Sequence, residues 1–128
     1  MGIRIVIPVE DEGGLDAVVS QHFGRAPYFV VVDLDDEGRV LELQTIPNTS
    51  EHFGGFGRPP DRILQLQPDA VATYGMGPRA LNIFQDAGVA VLKTEARTVR
   101  EVISAFNRGE LVELTEGCLE AHHFYQPP

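Results

Sequence analysis

The alternation of apolar and polar positions divides the chain into strands first and helices later. Ile3, Ile5 and Ile7 recur with a period of two, which predicts a strand from about Ile3 to Pro8. An acidic, glycine-bearing loop follows from Glu10 to Gly14. Leu15 to Ser20 then fits either a short helical turn or an extended connection, and the pattern leaves both open. Gln21 to Pro27, with its glycine and proline, reads as a reversal of the chain. Tyr28 to Leu34 is a nearly continuous aromatic and β-branched run, as expected of a well-covered strand. Asp35 to Gly38 is a hairpin turn, and Leu41 and Leu43 then alternate with Glu42 and Gln44 in a strand from Arg39 to Ile46 with one wet face. These strands predict an antiparallel meander.

The pattern changes in the second half. Pro47 to Pro60 holds three glycines, three prolines, His52 and two phenylalanines, and a connection of that length in a small domain is expected to be functional or mobile. Pro59 and Pro60 open a short helix through Ile63, Leu64 and Leu66 that ends before Pro68. Ala70 to Tyr74 is a short apolar run suited to a central strand covered on both faces. Gly75-Met76-Gly77 turns the chain, and Pro78 suits the first position of a helix that carries Ala80, Leu81, Phe84 and Ala87 on one face and stops at Gly88. A strand, a glycine turn and a helix start in succession leave backbone N–H groups facing a crevice, which attracts anions. Val89 to Leu92 predicts a further buried strand. Thr98 and Glu101 then form a capping box for a helix that is lined by Val99, Val102, Ile103 and Phe106 and closed by Gly109.

Right-handed crossovers would make the later strands parallel. The expected fold is therefore α/β: a mixed five-stranded sheet, an antiparallel meander followed by parallel βαβ units, with helices packed on it. That is the ribonuclease H-like architecture, although composition alone does not separate it from other three-layer α/β folds. One domain is expected over residues 1–116, followed by a tail over 117–128.

Composition narrows the function classes. A chain of 128 residues suits one domain, and 43% hydrophobic with 23% charged residues is ordinary for a globular protein. Nineteen acidic against ten basic residues give a net charge of -9, which argues against general nucleic-acid binding. The single cysteine excludes an intrachain disulfide and a multi-cysteine zinc site within one subunit. Met1-Gly2-Ile3-Arg4-Ile5 enters a strand with no signal peptide ahead of it, and no apolar run is long enough to span a membrane, so the cytoplasm is the expected compartment. The Gly75 to Gly77 turn lacks the Gly-x-Gly-x-x-Gly spacing of a dinucleotide site.

Three segments carry a resemblance: Ser20-Gln21-His22-Phe23-Gly24-Arg25-Ala26-Pro27-Tyr28-Phe29, Gly75-Met76-Gly77-Pro78-Arg79-Ala80, and Thr98-Val99-Arg100-Glu101-Val102 with Phe106 and Gly109-Glu110-Leu111. In this order, over roughly residues 3 to 116, they resemble the dinitrogenase iron-molybdenum cofactor biosynthesis family, which includes NifX, NafY and the C-terminal domain of NifB. The resemblance implies a ribonuclease H-like fold. It also implies a non-catalytic role in carrying or storing iron-sulfur or molybdenum-iron-sulfur clusters, with cluster donor or acceptor proteins as partners. Such clusters are polyanions with sulfide surfaces, so amides, an arginine and a soft or imidazole ligand are the expected contacts.

The candidate cluster-binding residues are His22, Phe23, Gly24, Arg25, His52, Gly75, Met76 and Gly77. Each has a plainer role: His22 can hydrogen-bond its own turn, Arg25 can pin the loop to an acid, His52 can be a solvated loop residue, and Met76 can fill a gap. In the tail, Cys118, His122 and His123 offer a thiolate and imidazoles for a soft metal, with a second subunit in a homo-oligomer completing the coordination, or they belong to a frayed terminus. Two other readings compete. One is a regulatory interaction module without a cluster. The other is a nuclease, which needs carboxylates on the central strands, where Ala70 to Tyr74 has none.

Overall fold

The strand Ile3–Val9 (β1) lies near the middle of the sheet, its register fixed by neighbours on both sides. The computed structural model describes residues 2–49 and 59–115. Tyr28–Leu34 (β2) runs antiparallel to β1, with Ile3 opposite Leu34 and Val9 opposite Tyr28. Val40–Pro47 (β3) pairs antiparallel with β2 at the outer edge, and its register shifts beside Asp33 and Leu34. Together they make the expected meander.

On the other side of β1 the sheet becomes parallel. The helix Pro59–Leu64 (α1) leads to Ala70–Thr73 (β4), and Ile5 and Val6 lie beside Ala70 and Val71. The helix Pro78–Asp86 (α2) crosses to Ala90–Lys93 (β5), which pairs parallel with β4 along its length. The helix Val99–Asn107 (α3) follows, and Gly109, at a φ of 71°, turns the chain back towards the sheet.

The return adds a strand that the hydrophobic pattern does not predict. Val112–Glu113 (β6) pairs antiparallel with β5, and the Leu114 N–H donates to the Val91 carbonyl at 2.7 Å. The sheet therefore has six strands, in the order β3-β2-β1-β4-β5-β6, and the expected count of five is corrected. Two paired residues with exposed side chains are too few to show a period.

Two apolar layers flank the sheet. Val6, Val31, Val71 and Val91 pack with α1 and α2 through Ile63, Leu81 and Phe84. Ile5, Ile7, Val30, Val32 and Ala72 face the other way, against Val99, Val102 and Ile103 of α3. Burial on both faces is why β1 and β2 are almost uninterrupted apolar runs. Leu15 to Ser20, left open by the sequence, resolves into both alternatives. Gly14–Asp16 is a single 3₁₀ turn, after which Val18 and Val19 extend and bridge to Thr98 and Val9.

Candidate functional site

The cleft is built where β4 ends. The hydroxyl of buried Thr73 donates to the Gly75 carbonyl at 3.2 Å, which folds the turn back on the strand. Gly77 caps α2 with a φ of -69°, ordinary for any residue, so its missing side chain serves space rather than conformation. A Cβ built there would meet no atom within 4 Å. Pro78 starts the helix, as its fixed φ favours. The amides of Arg79 and Ala80, in the first turn, have no carbonyl a turn behind them, and no side chain caps the helix.

The opposite wall is the turn after Ser20. Phe23 and Ala26 point into the core while His22, Gly24 and Arg25 stay exposed. The Phe23 ring meets Phe84 of α2 edge-to-face, with centroids 5.7 Å apart, and so ties the turn to the helix. Ser20 Oγ is 3.2 Å from both the N–H and the carbonyl of His22. Asn48 fastens the far end: its side-chain amide donates to the Ala26 carbonyl at 2.8 Å, its backbone N–H to the Pro27 carbonyl at 2.9 Å, and its side-chain oxygen accepts from Arg62 of α1 at 2.8 Å.

These walls enclose a cleft of about 520 Å³ that brings together His22, Phe23, Gly24, Arg25, Gly75, Met76 and Gly77. The two turns, 50 residues apart in sequence if counted from Arg25 to Gly75, share one hollow. Met76 is only 2% exposed and packs in the cluster of Phe23, Leu81 and Phe84, so it forms the floor of the cleft. His52, Cys118, His122 and His123 lie outside the described residues. Among the described residues, no three of His, Cys, Asp and Glu are grouped closely enough to hold a metal ion.

Among the described residues no carboxylate lines the cleft, in a chain with nineteen acidic residues. The cleft's ionisable side chains among the described residues are His22, Arg25 and Arg79. Arg4, Arg39, Arg100 and Arg108 each pair with an acid elsewhere on the molecule. Among the described residues neither Arg25 nor Arg79 has a partner for its guanidinium, so Arg25 is not pinned to an acid there. Arg79 is a wall residue that the sequence reading quoted within a motif and did not single out. The signal was available: a first-turn side chain leans towards the helix N-terminus, hence over the glycine turn.

Comparison with known proteins identifies the family and relatives of the same fold. The family model described as dinitrogenase iron-molybdenum cofactor matches residues 3–109. An uncharacterised protein of Methanocaldococcus jannaschii is 25% identical over 111 residues, covering 85% of this chain and 89% of its own. The apo form of the orange protein from Desulfovibrio gigas superposes with a TM-score of 0.73 at 26% identity, over 89% of this chain and 94% of its own. A Thermotoga protein titled as a candidate NifB superposes with a TM-score of 0.67 at 30% identity, over 88% of this chain and 94% of its own.

Proposed function

The chain belongs to the dinitrogenase iron-molybdenum cofactor family, and from that premise we propose that it carries a preassembled iron-sulfur or molybdenum-iron-sulfur cluster as cargo, without chemistry of its own. One observation carries the reading: among the described residues, the cleft of an acidic chain is lined by an imidazole, two guanidinium groups without acid partners and no carboxylate. Such a lining suits an electron-rich, multiply negative guest. Similarity to a protein named for its colour and described in an apo form also favours a coloured guest.

The donor set fits a cluster held mainly by hydrogen bonds and charge. Among the described residues no thiolate lines the cleft, and His22 is the one imidazole there able to ligate a metal directly. Arg25 and Arg79 would meet the cluster's charge, the first-turn amides of α2 its sulfides, and Phe23 and Met76 its apolar floor. The smallness of Gly75 and Gly77 lets a bulky guest approach the main chain. On this reading the partners are cluster donor and acceptor proteins in the cytoplasm, and the arrangement of the first five strands is ribonuclease H-like. A nuclease of that architecture would need carboxylates on its central strands, and Ile3–Val9 and Ala70–Thr73 contain none.

Anaerobic reconstitution of the full chain with iron and sulfide, or with thiomolybdate, tests the proposal. A chromophore should co-elute with the folded protein and be lost from the double variant Arg25→Gln/Arg79→Gln. A folded wild-type chain that retains no chromophore under either condition refutes the carrier role.

A further inference from the structure

We propose that Arg25 and Arg79 also make the cleft a receptor for free tetrahedral oxyanions, with phosphate and molybdate as the representative probes, held without metal coordination. The inference rests on the same cleft as the carrier reading and adds a second, smaller class of ligand to it.

The cleft holds unused donors. A guanidinium is a planar fork with five N–H groups, permanently charged and matched in shape to two oxygens of an oxyanion. Among the described residues five of the eight forks are occupied. Arg4 is bidentate to Asp33, Arg108 to Glu110, Arg100 meets Asp16, Arg39 meets Glu37, and Arg62 bonds Asn48. Arg25, Arg79 and Arg97 have no acid partner for the guanidinium among the described residues despite the excess of acids, and of these Arg25 and Arg79 line the cleft. One arises from the turn after Ser20 and the other from the first turn of α2, so they border one hollow from separate elements.

A tetrahedral oxyanion presents one pair of oxygens to each fork, which neither a planar carboxylate nor a single-atom anion can do. It fills only a small part of about 520 Å³, leaving room for the water that completes its hydrogen bonds. The net charge of -9 opposes any anion at long range, so affinity must come from these short-range contacts and must weaken as salt screens them. Selectivity follows from both features: two negative charges for two forks, and tetrahedral shape over planar.

Isothermal titration of the full chain with sodium phosphate and with sodium molybdate, at low and high chloride, is the test. Saturable binding with one anion per chain is expected, weaker at high chloride. Arg25→Gln and Arg79→Gln should each weaken it about tenfold, the lower end for hydrogen bonds to charged groups because both side chains are exposed. Arg79→Lys, which keeps the charge and loses the fork, should fall between wild type and Arg79→Gln. Thermal midpoints of these variants should match wild type, since no partner is lost among the described residues. The inference is overturned if neither anion saturates the wild-type chain, or if both glutamine variants bind like wild type. Cluster retention by a chain that binds no oxyanion would overturn it and leave the carrier reading standing. Oxyanion binding by a chain that retains no cluster would support it and remove the carrier reading.

Discussion

Tyr74 follows the last residue of β4, and its hydroxyl donates to the Ala96 carbonyl at 2.7 Å. Burial, and then the charge of Glu101, raise its pKa above the ordinary value, with Arg97 opposing. A raised value means the fold favours the neutral phenol. Its contribution is therefore complete below the unfolded tyrosine value of about 10 and is lost as pH rises through the folded one. Tyr74→Phe should cost about 1 kcal/mol at neutral pH and should flatten the loss of stability on the alkaline side, both readable by urea unfolding across pH. Single residues were legible in the sequence where one role was available to them. Phe23, beside a glycine in a motif, could be named, whereas the burial of Met76 depends on the cluster it shares with Phe23, Leu81 and Phe84. The freedom of Arg25 could not be read at all, because ion-pair partners lie far apart in sequence: Arg4 and Asp33, or Arg100 and Asp16.

At the scale of elements, α3 shows what a local motif can determine. The Thr98 hydroxyl accepts the Glu101 N–H at 3.3 Å, as the capping box predicts. The Glu101 carboxylate reaches one residue further back than expected, to the Arg97 N–H at 2.9 Å. Thr98→Ala should lower stability by about 1 kcal/mol in chemical denaturation. The contact between α2 and the turn after Ser20 is non-local, and its loss should be larger. Phe84→Ala removes a fully buried ring and its edge-to-face partner, which should cost about 3–5 kcal/mol and lower cluster retention by freeing the wall that carries Arg25. Helix starts, strand cores and glycine stops were readable because each depends on neighbours in sequence. β6 was not, since it exists only because β5 offers it an edge.

The whole molecule is a sheet with both faces covered and its cleft at the C-terminal end of β4, beside α2. Right-handed crossovers predicted the parallel half, and the hairpin turn at Asp35 to Gly38 predicted the meander. That hairpin also gives the molecule an acid-sensitive point. The Asp35 carboxylate accepts N–H groups from Glu37 at 2.8 Å and Arg39 at 2.9 Å, and these bonds, that of Arg39 foremost, lower its pKa. A lowered value stabilises the fold above the usual carboxylate range, an advantage lost as pH falls through the folded value. Asp35→Asn should therefore show a shallower loss of stability on acidification than wild type in a thermal melt.

Among the described residues the outer strand β3 leaves one side of its backbone unpaired, with Val40 41% and Leu41 66% exposed. Such a border is a template on which other chains can polymerise into fibrils. The register slip beside Asp33 and Leu34 and the charge of Glu42 act as gatekeepers against that stacking. Glu42→Val should shorten the lag before thioflavin-positive aggregates form, while leaving the cleft, which Glu42 does not line, untouched.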